Sequence, residues 1–155
     1  RVGGAAMQKN LETLGDIVYT EKEIDFALEM QRNNGKPELG IDGIIRPLRE
    51  TLESPGGGST DSGDVSYNVP VVSLAATTAP KGVPWHSWSV VASSGMSIGH
   101  KGMLYAAKAL GMTMVDIFKD SKLREDIKKE FDEKIGEYEY DPYLDPGPPP
   151  IDYVD

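Results

Sequence analysis

The sequence contains no cysteine. That excludes disulfides, thiolate nucleophiles and Cys-type metal sites together. Histidine is scarce as well: there are two, His86 and His100, too few for a His-rich structural zinc site built by this chain alone. Basic charge is in deficit, with 16 Lys and Arg against 25 Asp and Glu and a net charge of −9. Phosphate backbones need a basic footprint, so no nucleic-acid partner is expected. No apolar run approaches the roughly 20 residues of a membrane span, and no signal peptide is visible. No membrane partner is expected, and the location expected is cytoplasmic. Several motifs are missing too. Gly56-Gly57-Gly58 is not followed by Gly-Lys-Ser/Thr, so it is not a phosphate loop. Ser94-Gly95-Met96-Ser97 is no nucleophile elbow, and no loop fits an EF-hand.

What is present is one domain's worth of chain, 155 residues. A domain of about 150 residues buries roughly 70% of its unfolded surface. Residues Ala5 to Leu14 read as a helix stopped by Gly15. Thr20 and Glu23 have capping-box spacing and start a second helix that ends at Asn33-Asn34-Gly35. Residues Ile41 to Leu52 are ambiguous, a short helix only if Pro47 sits in its first turn. Ser54 to Gly63 is a Gly, Ser and Asp loop. Val69 to Ala76 is β-branched and apolar and reads as a buried strand; a second extended piece is expected at Trp88 to Ala92. A long helical pattern runs from Ile98 towards Asp120. Ser121 or Asp120 caps a last helix through Ile135, where Glu125–Lys129 and Glu130–Lys134 have the favourable i,i+4 order. From Tyr138 the chain is expected to be extended.

The residues suited to chemistry crowd between Gly56 and Trp88. His86 sits in Val83-Pro84-Trp85-His86-Ser87-Trp88. A strand, a Lys-Gly turn and a proline precede it, a sensible way to present an imidazole at a sheet edge. Neutral imidazole is a common zinc or manganese ligand. A lone histidine is nevertheless more often structural, and His100 reads as a helix-start residue. Asp61 and Asp64 are turn formers first; functionally they could line a site and orient a histidine. Trp85 and Trp88 fit either an aromatic pocket or core anchors, and the core reading is slightly favoured for each.

Taken in order, Ser59-Thr60-Asp61-Ser62-Gly63-Asp64-Val65-Ser66, Pro84-Trp85-His86-Ser87-Trp88 and Gly99-His100-Lys101-Gly102 with Ala106-Ala107-Lys108 resemble one family. So does the earlier helix start at Tyr19-Thr20-Glu21-Lys22-Glu23 with Phe26, Ala27 and Gln31. It is the aminobenzoyl-glutamate utilization protein B group, within the aminoacylase and carboxypeptidase-G-like metallopeptidases. The resemblance spans residues 5 to 140. It implies hydrolysis of an amide bond joining an acyl or aromatic acyl group to an amino acid such as glutamate. It implies two divalent metals, zinc or manganese, and a glutamate base activating a bridging water. His86 matches the last metal-ligand histidine. Gly58, Ser59, Thr60 and Trp88 are expected to bind substrate, with Asp61 and Asp64 supporting the histidine.

The resemblance also implies a fold: α/β, the carboxy-terminal part of a mixed-sheet zinc-peptidase-like catalytic domain with flanking helices. Residues 1–137 would belong to that segment, with 1–15 readable as the end of an inserted lid or dimerisation domain, and 138–155 an extended Pro- and Tyr-rich tail. No His-Asp or Glu-Glu cluster precedes Ser54, and Glu21 and Glu23 lie on a capping segment, so neither is promoted to general base. The chain is therefore expected to be inactive alone and to bind metal weakly or not at all. An amino-terminal half, or a homo-oligomer, is the expected protein partner. The alternative is a non-catalytic fragment or split-gene subunit serving as a binding or assembly module.

Overall fold

The computed structural model describes residues 1–49, 60–142 and 147–148. Six helices follow in order: α1 (Val2–Leu14), α2 (Glu21–Asn33), α3 (Ser62–Asn68), α4 (Trp88–Ser94), α5 (Ser97–Lys119) and α6 (Ser121–Ile135). Helix α5 is the frame. Helices α1, α4 and α6 pack against it, and α1 also packs on α6.

The helix boundaries have local causes. Gly15 takes φ 75° and closes α1, its N–H bonding the Leu11 carbonyl. Thr20 caps α2 through a full capping box. Its hydroxyl accepts from the Glu23 amide, while the Glu23 carboxylate accepts from the Thr20 amide at 2.7 Å. Asp120 caps α6 by accepting from the Leu123 amide at 3.0 Å, and Gly136 ends it at φ 58°. On α6, Lys134 pairs with Glu130 as the spacing predicts. The expected Glu125–Lys129 pair does not form, and Lys129 turns instead to Glu133.

The inner face of α5 is shaped for close approach. A Cβ on Gly102 would lie 2.3 Å from the Thr77 carbonyl oxygen, and one on Gly99 2.3 Å from that of Ser94. These two glycines answer to packing, which outweighs their helix penalty of about 1 kcal/mol each. Asn10 of α1 is buried against this face and donates to Thr113 at 3.0 Å and to Asp116 at 2.8 Å. The buried apolar set is Met7, Ala27, Met30, Val83, Ile98 and Ala109. That is a small core, and many large apolar side chains remain exposed.

The α/β expectation is overturned. Among the described residues there is no strand and no sheet. The segment expected as a buried strand, Val69 to Ala76, is irregular and partly exposed. Residues 71–79 make no backbone–backbone hydrogen bond among the described residues. A β-branched run becomes a strand only when a neighbour supplies the ladder, and among the described residues none is set alongside it. The second extended piece, Trp88 to Ala92, is helical in α4. No helix forms between Ile41 and Arg49; Glu50 to Leu52 lie outside the described residues. Helix α3 occupies sequence expected to be loop and its sequel. No helix among the described residues is long and apolar enough to cross a membrane.

Candidate functional site

A cavity of about 650 Å³ lies between α1, the 42–49 segment and the 73–83 segment, with Tyr105 of α5 and Trp85 on its wall. Such a volume suits a small organic ligand. Its apolar side includes Met7, Leu11, Ile17 and Val83. Its polar side is cationic. Arg46 and Lys81 both pair with Asp42, at 2.7 and 3.0 Å. The Ile44 amide and Lys81 hold the Asp42 carboxyl below the usual carboxylate range, so Asp42 is ionised at neutral pH. Arg49 also lines the cavity. Among the described lining residues three cations accompany one carboxylate, which leaves this wall able to receive an anion.

Helix α2 fixes the loops around the cavity through Gln31, which is fully buried. Its amide nitrogen donates to the Gly40 and Lys81 carbonyls at 3.0 and 2.8 Å, and its carbonyl oxygen accepts from the Gly40 amide at 2.9 Å. One side chain thereby pins the start of the 41–49 segment to the Lys81-Gly82 turn. Glu23 performs the matching task between α2 and α5. It is 7% exposed and pairs with Lys101 at 2.6 Å. Burial pushes its carboxyl up, but Lys101, Ser97 and Thr20 together outweigh that and hold it at about 2. Its Oε1 has no hydrogen-bond partner among the described residues. Lys101 also donates to the Val18 carbonyl and lies over the Tyr19 ring. Burial first, then Glu23 and Asp42, push the Tyr19 hydroxyl up to about 12.

His86 follows Trp85 directly, and its backbone is unusual. It takes φ 61° and is the one non-glycine residue with positive φ among those described. The imidazole is exposed, in a turn that leads into α4. It is not at a sheet edge, because there is no sheet among the described residues. Its approach is set by the Lys81-Gly82 turn, with Gly82 at φ 70°, and by Val83, which is buried. Ser87 donates back to the Pro84 carbonyl and tightens the turn.

The other predicted residues are placed elsewhere. Gly58 and Ser59 lie outside the described residues. Thr60 is exposed and bonds locally to Ser62. Asp61 stands at the head of α3 without a side-chain cap bond. Asp64 accepts from the Tyr140 hydroxyl at 2.7 Å, which pushes that hydroxyl up to about 12. Tyr67 packs on Tyr138 and Tyr140 in the same cluster. No hydrogen bond or ion pair joins Asp61 or Asp64 to His86 among the described residues. Trp85 and Trp88 are 70% and 58% exposed, so neither is a core anchor. Trp85 lines the cavity and Trp88 does not. Sequence reading missed Asp42, Arg46, Arg49 and Lys81, which come from two segments far apart in the chain. Gln31 was visible in the sequence as part of the family resemblance, with no role attached to it.

Comparison with known proteins bears on this arrangement. The chain is 39% identical over 149 residues to one subunit of the p-aminobenzoyl-glutamate hydrolase of Escherichia coli (strain K12). The chain is similar to that hydrolase component. The resemblance carried by the Ser59–Ser66, Pro84–Trp88 and Gly99–Gly102 motifs is borne out. The match covers 81% of this chain and 31% of the relative, so the chain spans about a third of the relative's length. No family model matches the chain. No solved structure matches it. The resemblance implies a two-metal site. Among the described residues, no three His, Asp or Glu side chains come together to hold a metal ion.

Proposed function

We propose that this chain is a segment of a metal-dependent amidohydrolase that cleaves the amide bond of aminobenzoyl-glutamate or a related N-acyl amino acid. The similarity to a component of a p-aminobenzoyl-glutamate hydrolase carries the reading. Two features of the site support it. His86 presents an exposed imidazole on a strained backbone, and strain of this kind concentrates at functional sites. The cavity beside it offers an aromatic wall at Trp85 and cations at Arg46, Arg49 and Lys81. Those cations are the groups to receive the carboxylates of a glutamate-bearing substrate.

His86 is proposed as one ligand to zinc or manganese. The remaining ligands and the general base would come from outside the described residues, so no catalytic step is assigned to this chain. Residues 1–137 are proposed as a carboxy-terminal segment of the catalytic domain, completed by an amino-terminal half or by association with other copies. The purified chain with manganese or zinc is expected to give no turnover of p-aminobenzoyl-glutamate, and calorimetry is expected to show weak metal binding. Turnover that disappears in His86→Ala would sink the claim that the chain is incomplete. Tight stoichiometric metal uptake would mean that ligands had been missed, with His100, Asp61 and Asp64 the first to examine.

A second reading, a binding or assembly module, is favoured by the amount of large apolar surface left exposed, Val91 and Phe118 among it. The two readings separate on addition of a polypeptide carrying the missing ligands. The hydrolase reading expects activity to appear; the assembly reading expects binding alone.

A further inference from the structure

His86 is held at positive φ although its side chain is exposed. A strained residue persists only where the structure around it over-determines its conformation. The restraint on this turn comes from both sides, and from one helix. Before His86, Gln31 of α2 donates to the Lys81 carbonyl at 2.8 Å. The Lys81 amide donates at 3.1 Å to the Gly40 carbonyl, which Gln31 also engages. After His86, the Ser89 hydroxyl at the start of α4 donates to the Asn34 side-chain oxygen at 2.9 Å. Gln31 and Asn34 lie about one turn apart at the end of α2, and their partners stand 50 and 55 residues away in the chain.

Both contacts are built to hold. Gln31 and Ser89 are fully buried, where a hydrogen bond is stronger and costly to leave unmade. Both amides are oriented by partners that can play one role only. The Met30 carbonyl accepts from the Asn34 nitrogen at 2.7 Å, which turns the Asn34 oxygen to Ser89. The Gly40 amide donates to the Gln31 oxygen at 2.9 Å, which leaves the Gln31 nitrogen for two carbonyls. Between the two fixed points Val83 is buried, Pro84 has a set φ, and the Ser87 hydroxyl closes on the Pro84 carbonyl.

We propose that Gln31 and Asn34 are positioning residues for His86: α2 grips the turn at Lys81 and at Ser89, holds His86 at positive φ and so sets the direction of its imidazole. The purpose rests on the reading of His86 as a metal ligand; the mechanics rest on the hydrogen bonds. A ligand whose direction is set before the metal arrives loses less freedom on binding it.

The test compares the full chain with Ser89→Ala and Gln31→Met, one release on each side of the turn. Ser89→Ala, the milder change, decides the case by itself if Gln31→Met does not fold. A strong intraresidue HN–Hα nuclear Overhauser effect marks positive φ. It is expected at His86 in wild type and is expected to lose intensity in each variant. In a double-mutant cycle, His86→Gly is expected to act on the folding constant about fivefold less favourably in either variant than in wild type, since glycine relieves strain only where strain is imposed. A residue serving stability alone would lower the folding constant and leave both of these readouts unmoved. Added Mn²⁺ is expected to broaden the His86 imidazole signals before those of His100, and to need several-fold more metal to do so in Ser89→Ala. No such Overhauser effect in wild type overturns the proposal. An unchanged effect with additive energies in Ser89→Ala overturns it too, even where Mn²⁺ still selects His86. A grip that passes both tests while Mn²⁺ shows no preference for His86 in wild type overturns instead the metal reading, and with it the purpose given to the grip.

Discussion

His86 carries a conformational cost. A non-glycine residue at φ 61° is disfavoured by roughly 1–2 kcal/mol. Its side chain is exposed and contributes little packing in return. Thermal denaturation is expected to show His86→Gly as stable as wild type, or more stable by up to about 1 kcal/mol, and His86→Val as less stable. A clear loss in His86→Gly would mean that the imidazole holds the turn together. Glu23 works in the opposite direction. Its carboxyl is lowered from 4.5 to about 2 in the folded chain, so its ionised form is favoured by folding. That stabilisation is complete above the unfolded value near 4.5 and is lost as pH falls through about 2. Circular dichroism between those limits is expected to show wild type losing stability more steeply than Glu23→Gln, although the variant is weaker at neutral pH. Equal slopes would sink the assignment. The capping box at Thr20 and Glu23 was legible from spacing alone. The pairing of Glu23 with Lys101, 78 residues away, was not.

Helix α5 owes its place to contacts that no window of sequence displays. Its apolar spacing predicts a helix, and Ser97–Lys119 is one. Which glycines matter depends on what stands opposite them. Gly102→Ala would press a methyl into the Thr77 carbonyl and is expected to cost about 1–3 kcal/mol by denaturant titration. Asn10→Ala would remove the donor that Thr113 and Asp116 share at the α1–α5 contact and is expected to cost about 1–3 kcal/mol in the same assay. A change under half of the lower figure in either would show that the contact is not maintained in solution. Helix α3 was hidden because Ser, Gly, Asp and Asn favour turns. Its Tyr67 and Asp64 meet Tyr138 and Tyr140 near the other end of the chain. The expected strand failed for the converse reason: propensity was present, but a partner was not among the described residues.

At the scale of the whole molecule, the six helices among the described residues enclose a small core and leave a cation-lined cavity and a long apolar face. The cavity predicts a salt-sensitive anion site. Binding of p-aminobenzoyl-glutamate, followed by quenching of Trp85 fluorescence in a Trp88→Phe background, is expected to weaken several-fold in Arg49→Ala and further as ionic strength rises. Binding indifferent to both would remove the cavity as the proposed carboxylate site. His86 was legible as a candidate because a Lys-Gly turn and a proline set its approach; the tryptophan expected to bind substrate was Trp88, whereas the one on the cavity wall is Trp85. The cations were not legible, since Arg46, Arg49 and Lys81 reach one wall only through folding.

The sequence by itself determined the helix ends, through Thr20, Asp120 and the glycines, because caps are satisfied within a few residues. It also determined the kinship, because ordered motifs survive without knowledge of their surroundings. Tertiary structure alone decided that Val69 to Ala76 is not a strand, that Asp64 serves a tyrosine and that Glu23 is a buried ion-pair partner. Each of those outcomes depends on a group from a distant part of the chain, present or absent at bonding distance, and spacing along the sequence carries no record of it.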